Sequence, residues 1–438
     1  MNYISVLDFI PSTLHADIEA GTSTTDVSQY FQQAAIAANF GQVAGEGRQG
    51  SVFVPNGTYR INRVGIRDTI FIGESRQGTM LKALTPGTNF IMDATLDRDG
   101  VNTNTRGRGW CESMTIDAND TGRSCLRVYG GGNRPANLHL TNGDVGLSAG
   151  LPIWSRFENI HSEKNAVGFF TYHAVSGDIG TSATFIDCWA DTCAQYGFRI
   201  TQLAYSSFIS CVAQDSGTHN WFVDGNAGGV PAVYSLIFMT CASEGSGTPF
   251  YMKKVRDLTL LNPRVIGIPT VDYVVLDDAQ GSIRDFSAVA TPQAGKKHLR
   301  VMNHTSGTGS ILLDSSIVTY DSADDIYFTI QGGNTNGEKR AQQFIYRWNA
   351  LNASERMRAT VANVDGYSGL VVQDDAGSRV AAFRRIGTPI FATNGDVIQP
   401  ATNLNPGDVA FFADAAGSAL QFTVNLNGVI KHGQIALS

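Results

Sequence analysis

One seven-residue pattern constrains this chain more than any other feature, because it returns four times. Phe157-Glu-Asn-Ile160-His-Ser162-Glu163 aligns with Phe185-Ile-Asp-Cys188-Trp-Ala190-Asp191. It aligns again with Phe208-Ile-Ser-Cys211-Val-Ala213-Gln214 and with Phe238-Met-Thr-Cys241-Ala-Ser243-Glu244. Each copy opens on a bulky apolar residue, continues through Ile or Cys and then Ser or Ala, and closes on an acid or its amide. Weaker copies extend the series to Met114–Asp120, Leu138–Asp144 and Leu258–Arg264. Successive copies start 19 to 30 residues apart. A fixed motif with variable spacing is what a solenoid with loops of unequal length produces.

A second apolar mark follows each copy: Gly168-Phe-Phe170, Gly197-Phe-Arg-Ile200, Trp221-Phe-Val223 and Phe250-Tyr-Met252. The chain should therefore lay down at least two strands per coil, with coils stacked about 4.8 Å apart. Strand alternation then turns Cys188, Cys211 and Cys241 inward as a column of small apolar side chains. It turns His161 with Glu163, Trp189 with Asp191, Val212 with Gln214, and Ala242 with Glu244 outward.

Composition agrees. Only 16% of residues are charged and 47 are Gly, which favours short strands and many turns over helical bundles. The formal net charge of −7, without a basic tract, excludes an electrostatic footprint for nucleic acid or an anionic membrane surface. No apolar stretch approaches the length needed to cross a bilayer, and no export signal opens the chain, so synthesis in a cytosol without membrane insertion is expected. The six Cys form no Cys-x-x-Cys pair and no His pair has zinc spacing, so reduced cysteines, no metal site and no cofactor are expected.

The first 90 residues read differently. Asp26 and Gln29 resemble a helix start, and Val27, Tyr30, Phe31, Ala34, Ala35 and Ala38 recur at helical spacing. Gly50–Ile61 reads as a strand, a Pro55-Asn-Gly turn and a second strand, and short strands follow at Thr69–Gly73 and Thr79–Ala83. Val6-Leu-Asp8-Phe9, Gly21-Thr-Ser-Thr-Thr-Asp26, Val52-Phe-Val-Pro55-x-Gly57-Thr58-Tyr59 and Ile72-Gly73-Glu74 resemble the opening segment of pectate-lyase-like β-helix proteins. Asp8-Phe-Ile-Pro with His15-Ala, Ile18 and Ala20-Gly21-Thr-Ser is similar to bacteriophage tailspikes of that superfamily.

The expected fold is all-β: a right-handed parallel β-helix with a short N-terminal capping helix, then a C-terminal β-sandwich and a short trimerising tail. Residues 1–90 form the cap and entry turns, 91–295 the β-helix, 296–395 the antiparallel sandwich and 396–438 the last strands. The resemblance implies a homotrimeric tailspike of a virion tail, partnered by other tail or baseplate proteins. It would bind and cut a bacterial surface polysaccharide, capsule or O-antigen, outside the cell.

Two motifs carry no chemistry. Gly45-Glu-Gly47-Arg-Gln-Gly50 precedes a strand rather than opening a helix, so a pyrophosphate would meet no helix N-terminus. Gly146-Leu-Ser148-Ala-Gly150 runs into Leu-Pro-Ile-Trp, which cannot start the helix behind a nucleophile elbow.

The closing acids are the better candidates. Asp120, Asp144, Glu163, Asp191, Gln214, Glu244 and Arg264 share the last motif position. Adjacent coils would set Glu163 and Asp191 about 5 Å apart, and Asp191 and Glu244 about 9–10 Å apart. The first separation suits retaining glycosidases and the second inverting ones. Asp191 and Glu244 are the expected acid–base pair, with Glu163 supporting or serving as the partner of Asp191. Trp189, His161, Gln214, Asp215, Tyr172, Trp221 and Arg264 are candidates for holding the sugar chain. A lyase acting on a uronate, with Arg264, Lys253 or Lys254 on its carboxylate, and a non-catalytic glycan-binding fibre are the alternatives.

Overall fold

The computed structural model describes residues 4–39, 50–96, 107–172, 178–225, 233–267, 270–290 and 292–302 with their side chains, and strand backbone beyond them. The chain divides into two compact units, the first ending at Asn303 apart from a short return at Thr319–Asp321.

The first unit is a parallel β-helix whose coils each lay down three strands, so one face more than the repeat makes visible. On the first face, Thr141, Glu163, Asp191, Gln214 and Glu244 stand in register on successive strands. On the second, Phe169 pairs with Phe198, Phe198 with Trp221, and Trp221 with Phe250. On the third, Phe157, Phe185, Phe208 and Phe238 align. The seven-residue pattern thus spans a corner: its first residue lies on the third face and its last on the first.

The inward residues of each face form continuous stacks. Ring centroids on the third face are 4.3, 4.7 and 4.8 Å apart. On the second they are 4.4 Å, 4.0 Å and 6.0 Å apart. All of these rings are buried, each contributing about 1.5–3 kcal/mol through removal from water. One coil cannot bury its own inner edge, so every ring depends on the coils above and below.

The corner within the motif is built by backbone. Ser113, Asn137, Asn159, Asp187, Ser210, Thr240, Asn262 and Asp285 occupy it, all at φ between 50 and 55°. Short polar side chains tolerate this left-handed conformation because they bond locally to the backbone. Backbone pairing continues through the corner: the amide of Ser210 donates to the Met239 carbonyl at 2.9 Å and that of Thr240 to Leu261 at 2.9 Å.

Just past this corner lies the cysteine column. Cys188, Cys211 and Cys241 are buried and free. Each thiol donates to a carbonyl one coil back: Cys188 to Phe157 at 3.5 Å, Cys211 to Phe185 at 3.5 Å and Cys241 to Phe208 at 3.3 Å. Burial pushes the Cys188 and Cys241 thiols well up, which removes the thiolate a reactive cysteine needs.

The N-terminal helix Ser28–Ala38 buries Phe31, Ala34 and Ala35, with Val27 buried just before it. Phe31 lies edge-on to Tyr59 at 5.4 Å and stacks with Phe71 at 5.8 Å, closing the open end of the core. Asp26 accepts from the Ser28 amide at 2.9 Å just ahead of the helix, and Val27 takes the capping position without a side-chain bond. The strands flanking Pro55 do not pair with each other. Gly50–Val54 pairs in parallel with Thr69–Gly73, and Gly57–Ile61 with Thr79–Ala83. Ser148, discarded as a nucleophile, is buried within the strand Val145–Ile153; most of the glycine motif at 45–50 lies outside the described residues.

In the second unit, Ser310–Asp314 pairs in parallel with Tyr327–Gln331. An antiparallel meander then runs through Gln342–Arg347, Arg356–Val364, Tyr367–Gln373, Arg379–Arg384 and Pro389–Ile390. Val409–Ala413, Ala419–Leu426 and Val429–Ala436 make a separate three-stranded antiparallel sheet. The packing of two layers that a sandwich requires lies outside the described residues.

Candidate active site

Outward positions on a strand alternate with inward ones, so the first face carries two parallel columns of outward side chains. One is Thr115, His139, His161, Trp189, Val212, Ala242 and Arg264. The other is Lys82, Asp117, Thr141, Glu163, Asp191, Gln214, Glu244 and Ile266. Between them the inward column holds Ser162, Ala190, Ala213 and Ser243, all buried.

This register brings Glu163, Asp191, Gln214 and Glu244 together as expected and corrects the outlying rungs. Asp120 and Asp144 are exposed beyond the next corner, and Asp117 and Thr141 take their places. Arg264 stands over Ala242, while Ile266 follows Glu244. The weak copies misled because a corner fixes the register, and their bulky residues lie at different distances from it. Asp117 is engaged: Lys82 approaches at 3.1 Å and Asn142 donates to it at 2.9 Å.

The histidine column was half missed. His139 lies directly under His161, and the rings stack at 5.0 Å. His161 in turn stacks on Trp189 at 4.6 Å. The signal was present in Leu138-His139 and Ile160-His161, an apolar–His pair repeated one coil apart. His139 Nε2 meets Glu163 Oε2 at 3.1 Å, and Lys164 pairs with the other Glu163 oxygen. These contacts, that with Lys164 first, hold the Glu163 carboxyl below its usual range.

Asp191 behaves oppositely. Burial, followed by the charges of Glu163 and Asp215, pushes its carboxyl up. Its Oδ1 is buried and has no hydrogen-bond partner. Two neighbouring carboxyls are therefore pushed apart, one towards the ionised and one towards the protonated form. Burial also lowers the His161 imidazole, helped by the charge of His139, and its Nε2 is likewise buried and unpartnered.

Gln214 donates to Asp215 Oδ2 at 3.2 Å. Asp215 occupies a corner at φ 49° and accepts from the Ser246 amide at 3.0 Å. Its work is to staple two coils, and its charge reaches Asp191. Buried Asn220 donates to the Glu244 carbonyl at 2.9 Å and to Ser243 Oγ at 2.7 Å, fixing the strand that presents Glu244. Beyond Glu244 the face opens into a groove of about 620 Å³ lined by Thr240, Glu244, Asn262, Arg264 and Val289 among others.

Two expected sugar contacts lie elsewhere. Trp221 is fully buried in the second-face stack, and its Nε1 donates to the Ala242 carbonyl at 3.0 Å. It is core, because the inward column of that face falls on Phe198, Trp221 and Phe250. Tyr172 stands on the second face beside Phe170, ring centroids 5.3 Å apart, away from the carboxylates. Trp189 remains on the first face, 40% exposed.

No family model and no curated protein matches the sequence. Solved structures do. The tailspike of Acinetobacter phage vb_AbaP_AS12 is similar with a TM-score of 0.55 at 14% identity, over 100% of this chain and 81% of the other. A protein of Geobacillus virus E2 is similar with a TM-score of 0.50 at 13% identity, over 100% of this chain and 86% of the other. At these identities the likeness is one of fold, a parallel β-helix shared with phage tailspike architecture.

Proposed function

We propose that the protein is a phage tailspike depolymerase that binds a bacterial surface polysaccharide along the first face and cuts it by endo-glycosidic hydrolysis. The observation that carries this reading is the setting of Asp191. It stands between Glu163 and Gln214, beside the exposed ring of Trp189, with Glu244 two coils further on. A raised carboxyl beside an aromatic shelf suits proton donation to a glycosidic oxygen. Glu244, about 10 Å along the strip by strand spacing, reaches the range where a base activates water on the opposite face of the sugar once the two side chains lean together. Burial first, and then the charge of Glu163, pushes the Asp191 carboxyl towards the protonated form a general acid needs. A long, shallow, outward strip suits a polymer better than a small metabolite, and the tailspike fold agrees with that.

A lyase is the second reading. Arg264 is exposed on the groove wall with Glu244 and could hold a uronate carboxylate. Incubation with purified capsules and O-antigens, followed by mass analysis, separates the readings. Fragments that have gained water, with a new reducing end, support hydrolysis; fragments with a 4,5-unsaturated uronate support elimination. Binding without shortening leaves a receptor fibre. Homotrimer assembly through residues 396–438 belongs to the same reading, and light scattering from a stable monomer at micromolar concentration would contradict it.

A further inference from the structure

We propose that His139, His161 and Glu163 form a binding site for one divalent transition ion of the zinc class on the first face. The reading goes beyond glycan cleavage and does not depend on it.

The site is created by stacking. His139 and His161 are coil neighbours, and Glu163 stands two residues beyond His161 on the same strand, so all three project from one side. One potential ligand atom from each lies within 4.8 Å of the other two. His139 Nε2 and Glu163 Oε2 are already 3.1 Å apart. Ligand bonds of about 2.0–2.2 Å at tetrahedral angles put neighbouring ligand atoms about 3.3 Å apart, so this edge is already at coordinating distance. The two rings stack nearly parallel, so the His161 ring must turn out of the stack to aim its nitrogen at the same ion. The His161 Nε2 is the second indication: it is buried without a hydrogen-bond partner, and coordination would satisfy it.

Donor chemistry sets the class of ion. Two imidazoles and one carboxylate favour zinc, cobalt, nickel or copper over magnesium and calcium, which prefer oxygen alone. Three protein ligands leave a coordination position open towards the exposed face. Two cations oppose binding: Arg76, whose charge reaches His161, and Lys164, whose exposed ammonium pairs with Glu163. Lys164 is the one in direct contact with a ligand. It must swing away as the ion enters, so its removal should help.

The test uses the full chain, stripped with chelator and titrated with Zn²⁺ against a competing colorimetric chelator, without polysaccharide. One ion per chain is expected. His161→Ala and Glu163→Gln should each weaken binding at least tenfold. Lys164→Ala should tighten it several-fold, a change that misfolding cannot mimic. X-ray absorption should show nitrogen and oxygen ligands with imidazole scattering. The proposal is overturned if the wild type binds no more zinc than His139→Ala/His161→Ala, if Lys164→Ala binds no tighter, or if sulfur appears among the ligands.

Discussion

His161 and Trp189 stack on adjacent coils with ring centroids 4.6 Å apart and planes 14° from parallel. The pair offers a flat apolar shelf whose outer member, Trp189, is 40% exposed. Trp189→Ala should weaken polymer binding about five- to tenfold, a loss of about 1 kcal/mol, while leaving the melting temperature nearly unchanged. Trp221→Ala should do the reverse. It opens a cavity in a fully buried stack and should cost about 3–5 kcal/mol of stability. Affinity by titration and stability by denaturant melts would expose any exchange of these outcomes.

Asp191→Asn and Glu244→Gln preserve shape and abolish ionisation. Each should lower turnover about 10²–10⁴-fold with polymer binding retained, as removal of a positioned proton-transfer group does. Asp120→Asn is the control, because Asp120 lies outside the strip, and it should behave as wild type. Near-full turnover in both active-strip variants would move the chemistry off this face.

The cysteine column should be inert. Thiol reagents should leave Cys188, Cys211 and Cys241 unlabelled in the native protein and react once it is unfolded. Cys211→Ala should cost about 1–2 kcal/mol through a small cavity and a lost thiol–carbonyl contact, with catalytic turnover unchanged. Rapid native labelling of all three would mean that the coil register is wrong.

His219 predicts a pH dependence of stability. Burial lowers its imidazole from 6.5 to about 4, and its Nδ1 is buried without a partner. Below the unfolded value the denatured chain takes up a proton that the folded chain refuses, so stability falls as the pH drops from about 6.5 to about 4. With the ring only partly buried, solvent screening reduces the effect to on the order of 1–2 kcal/mol. His219→Gln should flatten that part of the curve; chemical denaturation at a series of pH values reads it directly.

Much of the scaffold was legible because its constraint is local and repeated. Phenylalanine, then cysteine, then a small residue in one short motif marks a strand, a corner and another strand, and those residues stack as expected. The third face was harder to see. Leu203–Ile209 and Val233–Met239 contain the motif phenylalanine and carry a left-handed residue of their own, Tyr205 or Ser235, ahead of the corner at Ser210 or Thr240 that follows each strand. The carboxylate strip was legible where copies are strong and misplaced where they are weak. Glu163, Asp191, Gln214 and Glu244 follow their corners at a constant offset, whereas Asp144 and Arg264 were aligned on a bulky residue that does not occupy the stacked position. Opposite electrostatic environments at Glu163 and Asp191 were not readable at all. They arise from His139, Lys164 and burial, which only stacking assembles.

The step from Phe157, Phe185, Phe208 and Phe238 to their carboxylate or amide is the same in every coil, and the next step, to the second-face aromatics, hardly varies. Length differences collect in the return from the second face to the third: Phe198 to Phe208 is short, whereas Phe169 to Phe185 and Trp221 to Phe238 are long. Insertions are thus absorbed along one seam. A lineage could swap or lengthen the loops at that seam, and so remodel one flank of the protein, while every side chain on the strip kept its address.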